Sequence, residues 1–245
     1  MGSSNRCSRA LSRMPATTEA LPAERFRDAL QAAVETVGVG ESRLCRLLAN
    51  PRSPPRLLRR FAANIHNGAT QFPGLLAALI ACAPDHTARA VLMDNLLEEH
   101  GFRIVPGEGL VGVRCQCHTE WSAQFLRACG GDPRDVERTD AVLACTRIEA
   151  MLLAGHWLEA VAYLLIGQEA TFGRACSELV AALRRRGLKD ADIVFFSRHA
   201  VADQKHGEDA LTLVTSRATS PERQLSVIEA AAAGARHWRS QYEMG

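Results

Sequence analysis

The amino-acid sequence predicts an all-α fold made as a single helical domain, and three observations carry that prediction. From Leu21 onward nearly every segment repeats its apolar residues with helical period, alternating β-type patterns are almost absent, and proline or glycine breaks fall between the periodic runs. With 245 residues, 47% hydrophobic and only 5% aromatic, the chain is long enough for one large core and too short to force two domains.

The elements follow in order. Residues 1–20 are rich in Ser and Arg and lack an apolar run, so they read as a disordered tail ahead of a helical domain over 21–245. The periodicity predicts helices over 23–37, 41–49, 54–70, 72–82, 86–101, 118–129, 139–153, 156–186, 190–217 and 221–242. Breaks lie at Pro51, Pro54 and Pro55, at Pro84, at GGDP (130–133), at Gly187 and at Ser220–Pro221, where serine can cap and proline can take the first helical position. The one β-like stretch is LVGVRCQC (110–117). It lies in the connection 102–117, which is long for a helix–helix loop and reads either as a lid that selects substrate or as a surface insertion.

The formal charge of +2 comes from intermixed acids and bases without a basic face, which argues against a nucleic-acid partner. No apolar run reaches the roughly 18 residues of a membrane span. The eight cysteines are scattered, with no CxxC pair and no secretory signal, which fits reduced thiols in a cytoplasmic protein. Cys115, Cys117 and His118 form one compact cluster, but no second pair lies downstream at zinc-finger spacing.

His199, Asp203 and His206 lie in FFSRHAVADQKHGEDA, on a segment that otherwise reads as helix. At about 100° per residue, these spacings return to one helix face, and Phe195, Ala210 and Leu213 continue that face as an apolar stripe. Three polar side chains carried into a core need partners. A metal ion supplies them; a buried His/Asp hydrogen-bond network is the other reading.

The preceding helix repeats the anomaly. Its stripe runs Leu158, Ala162, Leu165, Glu169, Phe172, Cys176, Leu179 and Leu183, so Glu169 takes a core position. In DNLLEEHG (94–101), Glu98 continues a stripe through Val91 and Asn95 and is taken as the inward carboxylate, with Glu99 pointing about 100° away. An exposed acidic pair is the alternative. His118 opens the next helix on the face of Trp121 or Ser122, Phe125 and Cys129. Together Glu98, His118, Glu169, His199, Asp203 and His206 place three carboxylates and three imidazoles on four helices, a set that suits iron or manganese better than structural zinc.

The series DNLLEEHG, HTEWSAQFLRACGGD, GQEATFG and FFSRHAVADQKH, in that order between roughly Ser53 and Leu213, resembles the haem-oxygenase-like diiron oxidases and oxygenases. The fold is shared with pyrroloquinoline-quinone synthase-like and thiaminase-type proteins. The resemblance implies a seven-helix haem-oxygenase-like bundle. It also implies two Fe(II) ions per chain held by Glu98, His118, Glu169, His199, Asp203 and His206, with Glu169 bridging. O2 would be the cosubstrate, and an external electron donor, in effect a redox partner, would reset the irons. Members of the family carry out N-oxygenation or oxidative C–C cleavage of small molecules, usually in natural-product pathways. A small amino acid or amino-acid derivative is therefore the expected substrate.

This chain departs from the family pattern in two places. Thr70 or Gln71 stands near the position where some members carry a further carboxylate, and the 102–117 connection is long, leaving Glu108 as a substitute for Glu98. Candidate substrate anchors are Asn64, His66, Asn67, Gln71, Arg147 and Lys205. Two other functions compete: a metal-free thiaminase-like hydrolase with a cysteine nucleophile, and a noncatalytic helical interaction protein. A haem site would need an axial histidine and an open apolar cleft, which three inward carboxylates oppose. The last helix, with Ala231–Ala233, Trp238 and Tyr242, offers either a homodimer contact or core packing.

Overall fold

The computed structural model describes residues 19–35, 43–105, 107–112, 117–136 and 141–243. All but two residues of the expected tail lie outside that range. Helix α1 spans Ala23–Glu35, α2 Arg43–Ala49, α3 Pro55–Ala81, α4 His86–Glu99, α5 His118–Ala128 and α6 Ala141–Leu153. A long helix, α7, follows in three joined pieces, α-helical over Trp157–Val161, π-helical over Ala162–Glu169 and α-helical again over Ala170–Arg185. After a 3-10 turn at Asp190–Ile193 come α8, Val194–Thr215, and α9, Pro221–Glu243. The class is all-α as expected. The described residues hold nine helices rather than seven, because short segments such as the seven-residue α2 stand as helices of their own.

Local chemistry explains the element ends. Pro55 starts α3, where the missing N–H costs nothing. At α4, the Asp85 carboxylate accepts the Ala88 N–H at 2.8 Å, and Arg217, in the turn after α8, donates to the same carboxylate at 2.9 and 3.0 Å. The sequence predicts a break near residue 71, yet α3 runs through Pro73. Proline removes the N–H that the Ala69 carbonyl would accept, and the Thr119 hydroxyl, at the start of α5, donates to that carbonyl at 3.3 Å.

The long connection after α4 is a β-hairpin, β1 Phe102–Val105 and β2 Gly109–Gly112, antiparallel with Ile104 opposite Leu110. Gly107 and Gly109 take positive φ in its turn, and Glu108 is exposed there, away from the interior. Glu108 is thus no substitute ligand.

The apolar core falls into two clusters. One joins α1, the C-terminal end of α3, α4, the start of α7 and the C-terminal half of α8 to α9, around Phe26, Leu76, Tyr163 and Val214. The other joins α2, the middle of α3 and α5 to the later part of α7 and the start of α8, around Phe61, Phe125, Leu179 and Phe196. Along α7 the first cluster ends at Ile166 and the second begins at Phe172; along α8 the gap runs from Phe196 to Ala210. Glu169, His199, Asp203 and His206 all fall in these gaps. Ala231 and Ala232 of α9 are buried in the chain's own packing, which favours the core reading of that helix.

Glycines set the spacing of the central helices. A Cβ at Gly167 would lie 2.9 Å from Gly234 Cα and 3.0 Å from Ala235 N, so α7 and α9 meet almost backbone to backbone. On the other side of α7, a Cβ at Gly173 would lie 3.2 Å from Asp203 Cγ and Oδ2, and one at Gly207 would lie 2.9 Å from Ala170 Cβ. Ala170, Gly173, Asp203 and Gly207 thus form a close seam between α7 and α8. That seam brings Glu169 and His206 within hydrogen-bonding reach.

Candidate metal centre

Two sets of three ligating side chains are buried side by side. Glu99, His118 and His199 form one triad and Glu169, Asp203 and His206 the other, each with its ligand atoms within 4.8 Å of one another. Five of the six residues expected from sequence are therefore brought together. The sixth is corrected: Glu99 is the buried carboxylate of the pair, 3% exposed, and Glu98 is only half-buried. The inward face of α4 runs Ala88, Leu92, Asn95 and Glu99, not through Val91 and Glu98. Glu98 still reaches the centre from its edge, accepting from His206 Nε2 at 3.0 Å.

Each imidazole is oriented by a second partner. His199 Nδ1 donates to the Phe195 carbonyl at 2.6 Å, one turn back along α8, which fixes the proton on Nδ1 and leaves Nε2 as a lone pair for the centre. His118 Nδ1 pairs with Glu99 Oε1 at 2.8 Å, and the His118 and His199 rings lie 4.4 Å apart between centroids. His206 Nδ1 pairs with Glu169 Oε1 at 2.8 Å. Asn95, a residue the sequence reading used only to mark a face, donates from Nδ2 to both Glu169 oxygens at 3.0 Å and holds that carboxylate in place. Phe195, Phe172 and Trp121 pack against the histidine rings and keep the first triad dry.

The electrostatics are those of too many acids in too little solvent. Burial, and then Glu169, push the Asp203 carboxyl well above the usual carboxylate range. His206 is lifted to about 11: burial opposes its charge, but Glu169 and Glu98, one at each ring nitrogen, outweigh that. His199 falls to about 4 through burial and the neighbouring His118. Glu99 is lowered despite burial, because His118 lies beside it.

A divalent cation fits this donor set. Asp203 Oδ2 is buried without a hydrogen-bond partner, as is Asn95 Oδ1. Mixed nitrogen and carboxylate donors, with no described thiol among them, are what iron or manganese accepts. Of the Cys115, Cys117 and His118 cluster, Cys115 lies outside the described residues, and His118 pairs with Glu99.

A cavity of ≈ 100 Å³ adjoins the triads. Its walls are apolar, with Ile65, Ala69, Phe72 and Leu75 from α3, Phe172 from α7 and Trp238 from α9. Of the candidate anchors, Asn64 and Gln71 line it. His66 pairs instead with Ser122 Oγ at 2.9 Å, and Asn67 is buried and accepts from Gln71 Nε2 at 2.7 Å. Lys205 is exposed beside Asp209 and Asp94, and Arg147 borders a separate cleft on the far side of α7.

Helix order, the buried triads between two apolar clusters and the hairpin after α4 define a helical bundle of the haem-oxygenase-like kind. Residues 59–239 match the family of iron-containing redox enzymes, a span that takes in every ligand from Glu98 to His206, and the chain belongs to that family. Its activity class is accordingly that of an oxidoreductase. Among solved structures, a TenA homologue from Pseudomonas syringae pv. tomato superposes with a TM-score of 0.70 at 13% identity, covering 94% of this chain and 98% of that one. That likeness is one of fold. None of the curated proteins matches the chain in sequence. No helix among the described residues is long and apolar enough to cross a membrane.

Proposed function

We propose that this protein is a non-haem diiron oxidase or oxygenase that uses O2, with electrons from an external donor, to oxidise a small amino acid or amino-acid derivative. The reaction is N-oxygenation or oxidative C–C cleavage, in a natural-product pathway of the cytoplasm. The observation that carries the proposal is the pair of adjacent buried triads, which offers two cation sites where a single structural ion needs one. Glu99, His118 and His199 would hold one iron and Glu169, Asp203 and His206 the other, with Glu98 as a further carboxylate at the edge of the second. When bound, two ferrous ions supply the electrons that convert O2 into an oxidant.

The chain's own residues do the rest. Asn95 anchors Glu169 by two hydrogen bonds, and the Phe195 carbonyl holds His199 in the tautomer that presents Nε2. Phe172, Phe195 and Trp238 exclude water where the cavity meets the triads, which protects a reactive oxidant from being quenched. Burial and Glu169 raise the Asp203 carboxyl, and Glu169 and Glu98 raise His206, so a cation entering the second triad competes with protons there.

Among the described residues, no cysteine supports the hydrolase reading: Cys82 is exposed, Cys129 is pushed up to about 12 by burial, and none lines the cavity. Anaerobic Fe(II) loading followed by brief exposure to O2 tests the proposal. Close to two irons per chain and a transient visible absorption are expected, both lost in His199→Ala and Glu169→Ala. Full iron content and an unchanged oxidation rate in either variant would overturn it.

A further inference from the structure

Gly68 lies near the middle of α3, lines the cavity and is exposed at its mouth. Its glycine is not explained by packing or by backbone conformation. A Cβ there would meet nothing within 4 Å, in contrast to Gly167, Gly173, Gly207 and Gly234, and its φ is not positive. Glycine inside a helix is a destabilising choice relative to alanine, so what it leaves behind is open space. Asn64 stands one turn before it and Gln71 about one turn after it, both on the cavity wall. Gln168, next to the ligand Glu169, supplies a third carboxamide from within.

The charge of the cavity is equally one-sided. Its charged or titratable lining is Glu99, Glu169, Asp203 and His199; no lysine or arginine among the described residues lines it. With Glu98, four carboxylates surround the centre, and two divalent ions balance four negative charges without surplus. A substrate carboxylate taken inside would be a buried charge with no described cationic side chain to answer it.

We infer that the gap over Gly68 is the substrate portal, and that the end of the substrate passing through it is uncharged, an aliphatic or amide-like group guided by Asn64, Gln71 and Gln168. This rests on the diiron reading of the same site and narrows it. An amino-acid substrate would enter with its carboxylate blocked as an amide or ester, or left outside the mouth. A cavity of ≈ 100 Å³ admits a group somewhat smaller than the benzene held by a cavity of about 150 Å³. The rest of the molecule must therefore trail through the portal.

The test uses hexanamide and hexanoate, equal in size and different in charge, titrated calorimetrically into the Fe(II)-loaded protein under anaerobic conditions. The amide is expected to bind at least 10-fold more tightly than the carboxylate. Gly68→Leu should weaken amide binding at least 10-fold while iron content stays that of the wild type, and Gly68→Ala should have a smaller effect. Equal or tighter binding of hexanoate would overturn the substrate class, and undiminished amide binding by Gly68→Leu would overturn the portal. Iron content is measured on the same samples. If no iron binds, the diiron reading fails by itself, and the ranking of amide over carboxylate still decides this inference, because no lysine or arginine among the described residues lines the cavity to offset its carboxylates.

Discussion

Gly173→Ala is the substitution that most directly questions how the centre is held together. The added methyl would lie 3.2 Å from Asp203 Cγ and Oδ2 and closer still to Asp203 Cβ, an atom tied to the α8 backbone that cannot swing aside. Overpacking of this kind costs about 1–3 kcal/mol, and the upper half of that range applies where the obstructing atom is next to main chain. Alanine recovers up to about 1 kcal/mol of helix propensity, leaving a net loss of about 1–2 kcal/mol. The identical change at Gly74, where a Cβ meets nothing within 4 Å, should gain about 0.5–1 kcal/mol. For a chain of this length that separates the two variants by roughly 5–10 °C in midpoint. Thermal unfolding of both metal-free variants by circular dichroism measures the difference. Iron content adds a second readout, since pushing α8 from α7 moves Asp203 away from Glu169 and should deplete the second triad first. A Gly173→Ala protein as stable as the wild type, with full iron, would show that the glycine seam does not set the helix spacing.

The remaining predictions concern the ligands. His206 is lifted to about 11 and Asp203 is raised by burial and by Glu169, so cation loading should release protons and weaken as pH falls, measurable by calorimetry in buffers of different ionisation enthalpy. For the metal-free fold the signs differ between the histidines. The contribution of His206 is complete below the ordinary histidine value near 6.5 and disappears as pH rises towards about 11, whereas that of His199 disappears as pH falls from about 6.5 towards about 4. Denaturant midpoints across pH in His206→Gln and His199→Gln separate the two. Glu99→Ala should remove about half of the bound iron by dismantling the first triad, while Glu98→Ala, which leaves that triad whole, should remove less; the reverse order would restore Glu98 as the inward carboxylate.

Much of the centre was legible because α7 and α8 interrupt strong apolar stripes with polar residues. The stripe from Leu158 to Leu183 is buried throughout, and Glu169 is the anomaly it seemed to be. The same argument fails on α4, whose apolar residues lie on several faces: Val91, Leu96 and Leu97 are all partly buried, so the pattern does not single out one face and the inward carboxylate was misplaced by one residue. The π-helical turn also escaped notice, because all eight residues of Ala162–Glu169 are buried and no exposed position marks the change of pitch. The break expected between residues 70 and 72 is absent, and the hydroxyl from another helix that answers the carbonyl left open by Pro73 could not be seen in the sequence. Asn95 is of the same kind, a partner identified only once α4 lies beside α7.

The hairpin after α4 leaves the bundle at Glu99 and returns at His118, and these two side chains are joined at 2.8 Å across its base. Of the described residues beyond that joint, 102–105 and 107–112, most are exposed. The tip at Gly107 is therefore a natural place for an inserted epitope or fluorescent label, with iron content expected to stay unchanged, and it is where length variation between otherwise similar chains would be tolerated most readily.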